Sequence, residues 1–235
     1  NLHGGTPGYH KLMYQVETSD DSVTFSRTSP HMEQGYPGNL DLSVTYTLTD
    51  DNELKITYTA KDSFDKLAGL LNRGYDAVKD SSPTSRVVTH LADGQDQAFC
   101  QTFLDTFLHQ YGGRTDMIGL SFYPEIVVKY LGGEYHKSVQ DTIENIQALA
   151  KRYEKDIMIC EIGENEEEEE KGYSLVKTMI DALKKIPHER GAGIFWWEPE
   201  SNSALLPDGY AMGASRVVGR KKLQFTKALQ AFKEN

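Results

Sequence analysis

The residues best suited to chemistry in this chain fall at the ends of short apolar runs. Val87-Val-Thr-His-Leu91 ends in Thr89 and His90, with Asp93 just beyond, and Met117-Ile-Gly-Leu-Ser-Phe-Tyr-Pro124 closes on Ser121, Phe122 and Tyr123. Ile157-Met-Ile-Cys-Glu161 closes on Cys160 and Glu161, and Gly193-Ile-Phe-Trp-Trp-Glu-Pro199 on Trp196, Trp197 and Glu198. A carboxylate closing an apolar strand, with aromatic rings on the neighbouring strands, supplies what glycosidic hydrolysis requires. It offers a nucleophile beneath an oxocarbenium-like centre and flat faces for a sugar ring. Each residue alone also fits a structural role: a strand-terminal Glu as ion-pair partner or helix cap, and His90 as a hydrogen-bonded structural histidine. Trp196 and Trp197 point to opposite sides of a sheet, so at least one packs under a helix. Recurrence at four successive strand ends favours a site.

The elements that would position these residues follow from hydrophobic period. Strands read as Arg86 to Leu91, Met117 to Phe122, Asp156 to Glu161 and Ala192 to Trp197. Between them lie helical faces: Phe99, Phe103, Phe107 and Tyr111; Val139, Ile143, Ile146, Ala150 and Tyr153; and Leu175, Met179 and Leu183. Phe64, Leu67, Leu71 and Val78 form a helix before the first strand, and Phe225, Ala228 and Phe232 a closing one. Strand starts recur every 31 to 39 residues, which suits right-handed βαβ units in a parallel sheet. Four such units are half of a (β/α)₈ barrel, where chemistry gathers at the C-terminal strand ends.

Residues 1 to about 60 have a different period. Leu40, Leu42, Val44, Tyr46 and Leu48, then Leu54, Ile56, Tyr58 and Ala60, alternate strictly about the polar stretch Thr49 to Glu53. That is a β-hairpin, with loops at Gly4 to Gly8 and Gly35 to Gly38 before it. The expected organisation is a β-rich segment over 1–62 and a partial barrel over 63–235.

Bulk composition narrows the function classes. The 235 residues carry 25 Lys plus Arg against 35 Asp plus Glu, a net charge of −10. This argues against nucleic acid as a partner and fits a neutral one such as a sugar. No apolar run reaches the roughly eighteen residues of a membrane span. Cys100 and Cys160 lie sixty residues apart, neither a disulfide framework nor a metal-ligand spacing, and leave the compartment undecided. The chain opens at Asn1 without Met or a leader, the expectation for a fragment or a processed chain. Glu164 to Glu170 holds six glutamates in seven residues, read as a solvated, self-repelling loop without a metal. No cofactor is expected.

The strand-end motifs quoted above, together with Leu67-Ala-Gly-Leu-Leu-Asn-Arg-Gly-Tyr-Asp-Ala-Val-Lys79, resemble the last four βα units of glycoside hydrolase family 53, over residues about 64 to 233. That family consists of retaining arabinogalactan endo-β-1,4-galactanases, extracellular or periplasmic enzymes. The resemblance implies that Glu161 is the nucleophile and that His90, Asp93, Ser121, Tyr123, Trp197 and Glu198 bind galactan. It also implies a second carboxyl, the Glu of an Asn-Glu pair on the fourth strand. The Asn-Glu pairs here are Asn52-Glu53, in the hairpin turn, and Asn165-Glu166, in the acidic loop, and neither has that context. Asn1-Leu-His-Gly-Gly5, Gly8-Tyr-His-Lys-Leu-Met-Tyr14 and Gln34-Gly-Tyr-Pro-Gly-Asn-Leu40 resemble aldose 1-epimerase (galactose mutarotase), a β-supersandwich family. By that resemblance His3 contacts sugar, while the family's acid histidine and base glutamate have no counterpart. Two partial segments thus meet between Ala60 and Phe64. A half-barrel has open sheet edges, so self-association is expected.

Overall fold

The computed structural model describes residues 8–33, 39–51, 53–62, 64–205, 210–219 and 222–234. The loops expected at Gly4 to Gly8 and Gly35 to Gly38 fall almost wholly outside these, as does His3. The chain divides into two compact units: residues 1–74 with 107–113, and residues 75–106 with 114–235.

The first unit is built on an antiparallel sheet of β1 (Gln15–Thr18), β2 (Ser22–Ser29), β3 (Leu40–Leu48) and β4 (Leu54–Asp62), in that spatial order. The expected hairpin is β3–β4, with Tyr46 opposite Ile56 and Val44 opposite Tyr58. The alternating residues meet in cross-strand pairs, and Phe25 meets Tyr46 edge-on with ring centroids 6.1 Å apart. Arg27 of β2 grips Glu33 through two 2.8 Å bonds.

The helix α1 (Phe64–Ser81) contains the division at Gly74. The second unit continues with β5 (Val88–Leu91), α2 (Gln97–Leu104), β6 (Met117–Phe122), α3 (Pro124–Leu131), α4 (Tyr135–Tyr153), β7 (Asp156–Ile162), α5 (Glu169–Lys184) and β8 (Gly191–Trp196). The strands form a parallel sheet in the order β5-β6-β7-β8. One face is the core, where Ile118, Leu120, Phe122, Ile157, Ile159 and Ile162 are fully buried, as are Ile146 and Leu149 of α4 and Val176 and Met179 of α5. The sequence reading of α/β, with about four βα units of a (β/α)₈ barrel after a β-rich segment, is the architecture found.

Three details differ from expectation. The helix carrying Phe99, Phe103 and Phe107 passes at Asp105–Gln110 into a π-helical turn. An aromatic stride of four outruns a 3.6-residue turn, and the wider turn takes up the excess. The closing helix is a 3₁₀ segment, Lys227–Phe232, preceded by an antiparallel hairpin of β9 (Ser215–Val218) and β10 (Lys222–Phe225). Phe225 therefore lies in a strand, because Thr226 N–H and its hydroxyl are both tied to the Ala214 carbonyl, at 2.9 and 3.2 Å.

The acidic run is also partnered rather than merely solvated. Glu166 accepts from Ser203 N–H and Oγ, Glu169 from Lys227 N–H and Glu170 from Lys227 Nζ, while Glu164 is buried. Glu169 and Glu170 occupy the first turn of α5, where the helix dipole favours negative charge. No helix among the described residues is long and apolar enough to cross a membrane.

Candidate active site

The candidate residues lie at the C-terminal ends of β5 to β8. His90 stands opposite Gly119 in the β5–β6 register, and Ser121 opposite Glu161 in β6–β7. The second pairing depends on an irregularity, since Leu120 pairs with Ile159 and Ser121 with Glu161, leaving Cys160 as an extra residue on β7. Ile157 and Ile159 face the helices, so strict alternation would send Glu161 to that side as well. The bulge puts Cys160 and Glu161 on the same face as Gly119 and Ser121. A Cβ placed on Gly119 would lie 2.3 Å from Cys160 Sγ, which confirms that Cys160 shares this face.

Around Glu161 the hydrogen bonds have one consistent direction. Ser121 Oγ lies 3.0 Å from Glu161 Oε2 and 2.7 Å from His90 Nε2. A carboxylate only accepts, so the single serine proton goes to Glu161 and His90 donates from Nε2–H to the serine oxygen. Tyr123 adds its hydroxyl to the same Oε2 at 3.3 Å. Burial pushes the Tyr123 phenol far up, helped by Tyr210 and the Glu161 charge, so it remains a proton donor across the working pH range. Tyr210 is pushed up to about 12, by burial first and by the charges of Glu198 and Glu161, and is coupled to the Tyr123 hydroxyl. Glu161, Glu198 and both tyrosines thus share one electrostatic environment. Gly163 permits the packing: a Cβ there would meet the Tyr123 ring at 2.8 Å and the Met212 carbonyl at 3.0 Å.

Not every candidate joins this network. Asp93 is exposed in a left-handed turn (φ 53°), accepting from Gln95 Nε2 at 3.3 Å while its carbonyl takes the Asp96 N–H at 2.8 Å. Glu198, also left-handed (φ 45°), accepts from Ser201 Oγ at 3.2 Å. The tryptophans divide as their pleat requires: Trp196 is 8% exposed with its indole N–H on the Met212 carbonyl at 2.9 Å, whereas Trp197 is 46% exposed. Tyr210 was not legible as a site residue, because it sits in the irregular segment after β8, where no period marks it.

Glu164 follows the site and turns away from it. Its carboxyl is fully buried, held by Tyr135 Oη at 2.5 Å and by Asn165 N–H at 2.9 Å, with Lys171 Nζ 3.8 Å away. Burial raises its pKa, against the lowering effect of those two bonds. Lys171 also bonds Glu125 and lies 4.0 Å from the Tyr135 ring centre.

A parallel βα sheet with polar and aromatic strand ends is the layout of the (β/α)₈ enzymes. The chain belongs to glycosyl hydrolase family 53, whose pattern matches residues 45–232. Residues 1–87 match aldose 1-epimerase, so 45–87 are matched by both. Among solved structures, a fungal β-1,4-galactanase shares the fold with a TM-score of 0.59 at 20% identity, over 74% of this chain and 55% of that one. The family 53 catalytic domain of Ignisphaera aggregans is 27% identical over 57% of this chain and 41% of that one, with a TM-score of 0.47. The galactose mutarotase of Rattus norvegicus is 43% identical over 75 residues, 32% of this chain and 22% of that protein. The aldose 1-epimerase of Haemophilus influenzae is 40% identical over 90 residues, 38% of this chain and 26% of that protein. The chain thus spans about a quarter of these two relatives and about half of the fungal galactanase.

Proposed function

We propose that residues 63–235 form the nucleophile-bearing part of a retaining endo-β-1,4-galactanase acting on galactan or arabinogalactan. The observation that carries this reading is the fixing of Glu161 Oε2 by two hydroxyls at a barrel-strand end. With Oε2 so held, Oε1 is the atom turned to an anomeric carbon, and a covalent glycosyl-enzyme forms there. His90 keeps Ser121 oriented toward Glu161, and Trp197 offers a ring face for stacking on a galactose unit. Asp93 and Glu198 hydrogen-bond sugar hydroxyls, and His3 of the 1–62 segment keeps a sugar contact.

Departure of a sugar alcohol needs an acid, supplied in retaining enzymes by a second carboxyl roughly 5 Å from the nucleophile. Glu164 is unsuited, since its carboxyl is buried and occupied. Glu198 is the carboxylate whose charge reaches Tyr210 together with that of Glu161. On this proposal the chain is expected to cleave an activated aryl galactoside, whose leaving group needs no proton, far faster than galactan.

The test is a 2,4-dinitrophenyl β-galactobioside followed by release of dinitrophenol, with mass spectrometry of the trapped enzyme and with Glu161→Gln alongside. A galactobiosyl adduct on Glu161, absent in the variant, supports the reading; equal release by both proteins rejects Glu161 as nucleophile. A second reading, mutarotation of galactose, rests on the match over residues 1–87. Because mutarotation needs an acid and a base on one ring, no change in optical rotation above the buffer rate is expected. As β5 and β8 are the outer strands of their sheet, self-association is proposed, and sedimentation as a monodisperse monomer would contradict it.

A further inference from the structure

At the opposite end of the parallel sheet from Glu161, where the chain enters β7 and β8, lies a cavity of about 570 Å³. Its wall is made by the end of α4 and by the segment between α5 and β8. Lys151, Lys185, His188 and Arg190 contribute to it, with Glu154 as the one carboxylate in the lining. In a chain of net charge −10, such a local excess of cations is unusual.

Part of that excess has an ordinary explanation. Lys151 lies in the last turn of α4 and Lys185 caps α5, where cations offset the helix dipole. Arg190 has no such role. Its Nη1 is buried and donates no hydrogen bond, and among the described residues it has no carboxylate partner, whereas Arg27, Arg86, Arg114, Arg152 and Arg216 are all paired and Arg73 is exposed to solvent. A buried guanidinium nitrogen left without an acceptor is costly, and an oxyanion is the group an arginine fork fits best. The wall is further held by two successive residues in the left-handed region, His188 (φ 62°) and Glu189 (φ 55°), a conformation that β-carbons disfavour.

We infer that this cavity is a binding site for an organic phosphate ester, with the phosphate between Arg190, Lys151 and Lys185 and the organic body over Ala150, Ile186 and Pro187. The volume decides against a bare anion as the full occupant, since it matches the range of small-molecule pockets, about 300 to 1,000 Å³. The site is separate from the Glu161 network, so occupancy is independent of the proposed glycosidase chemistry.

The test is a titration by heteronuclear NMR with phenyl phosphate, inorganic phosphate and phenol as three probes. Phenyl phosphate is expected to bind most tightly, shifting amides of residues 185–191 and 147–154, and phenol least. Lys151→Gln/Lys185→Gln is expected to weaken phenyl phosphate on the order of tenfold or more, while leaving phenol unchanged. Arg190→Gln, checked for folding by its amide spectrum, is expected to do the same. Equal binding of phenol and phenyl phosphate, or no saturable shift up to about 10 mM, overturns the inference. So does phenyl phosphate affinity unchanged in the double variant.

Discussion

The bond between Tyr135 and Glu164 is the sharpest internal test of how the segment after β7 is held. Removing the hydroxyl in Tyr135→Phe takes away a 2.5 Å donor from a fully buried carboxyl. A hydrogen bond to a buried charged group is worth about 2–3 kcal/mol. For a unit of this size that corresponds to a fall in Tm of about 4–12 °C. Glu164→Gln keeps an acceptor but loses the charge facing Lys171, 3.8 Å away. The two changes share one bond, so the double variant should fall short of additivity by about 1–2 kcal/mol. The pH dependence has a definite sign. Burial holds the folded-state pKa of Glu164 above the unfolded value of 4.5, so its ionisation subtracts stability as pH rises through the folded value. Below the unfolded value that penalty is absent. Glu164→Gln should therefore be less costly, or outright favourable, at pH 7.5 compared with pH 4. Urea unfolding followed by the fluorescence of Trp196 and Trp197, both in the second unit, gives all four corners of the cycle. A coupling below about 0.3 kcal/mol, or a Glu164→Gln penalty that grows with pH, would refute the reasoning.

Three further outcomes are expected. Despite the opposing effect of burial, hydrogen bonds from Lys79, Val87 N–H and Tyr75 hold Asp116 down at about 2, so its contribution is present above pH 4 and lost as pH falls through that value. Asp116→Asn should cost about 1–2 kcal/mol at pH 7 after allowance for solvent screening, with the gap closing in acid-unfolding curves near pH 2. Gly119→Ala should cost about 1–3 kcal/mol, because its Cβ would press on Cys160 Sγ and on Val88 Cγ1 at 2.8 Å; unchanged urea midpoints would contradict the packing described. Gly163→Ala should displace Tyr123 and cut release of dinitrophenol from the activated galactobioside about tenfold or more, with a smaller loss of stability than Gly119→Ala. Equal activity in that variant would show that Tyr123 is not needed where it stands.

Much of this architecture is written in local period. Met117 to Phe122 is apolar except at Ser121 because both faces of β6 are covered over most of its length, and the structure gives that strand the same limits. The β3–β4 hairpin is equally plain, since alternation on both sides of a polar turn fixes its register. Signals fail where spacing stops carrying information. Phe225 looked like the start of a helical face, yet a hairpin formed through contacts with Ala214, eleven residues away, takes precedence over local spacing. The acidic run looked solvated because its partners, Ser203, Arg216, Lys227 and Tyr135, are distant in sequence. Around Glu161, the strand ends identified His90, Ser121 and Tyr123 as neighbours. Tyr210 could not be found that way, since an irregular segment brings it in.

The extra residue at Cys160 makes the reactive face of β7 depend on counting rather than on composition. A substitution at Ile157 or Ile159 alters packing but leaves Glu161 pointing where it does. Regular pairing with Cys160 retained would instead bring Cys160 opposite Ser121, turn the carboxylate toward the helices and leave Ser121 and Tyr123 without their acceptor, whereas loss of Cys160 would leave Glu161 opposite Ser121 with no bulge at all. The reactive face of β7 is therefore held by its pairing with β6, and a change that regularises the strand while keeping Cys160 is costlier to the site than a swap of one apolar residue for another.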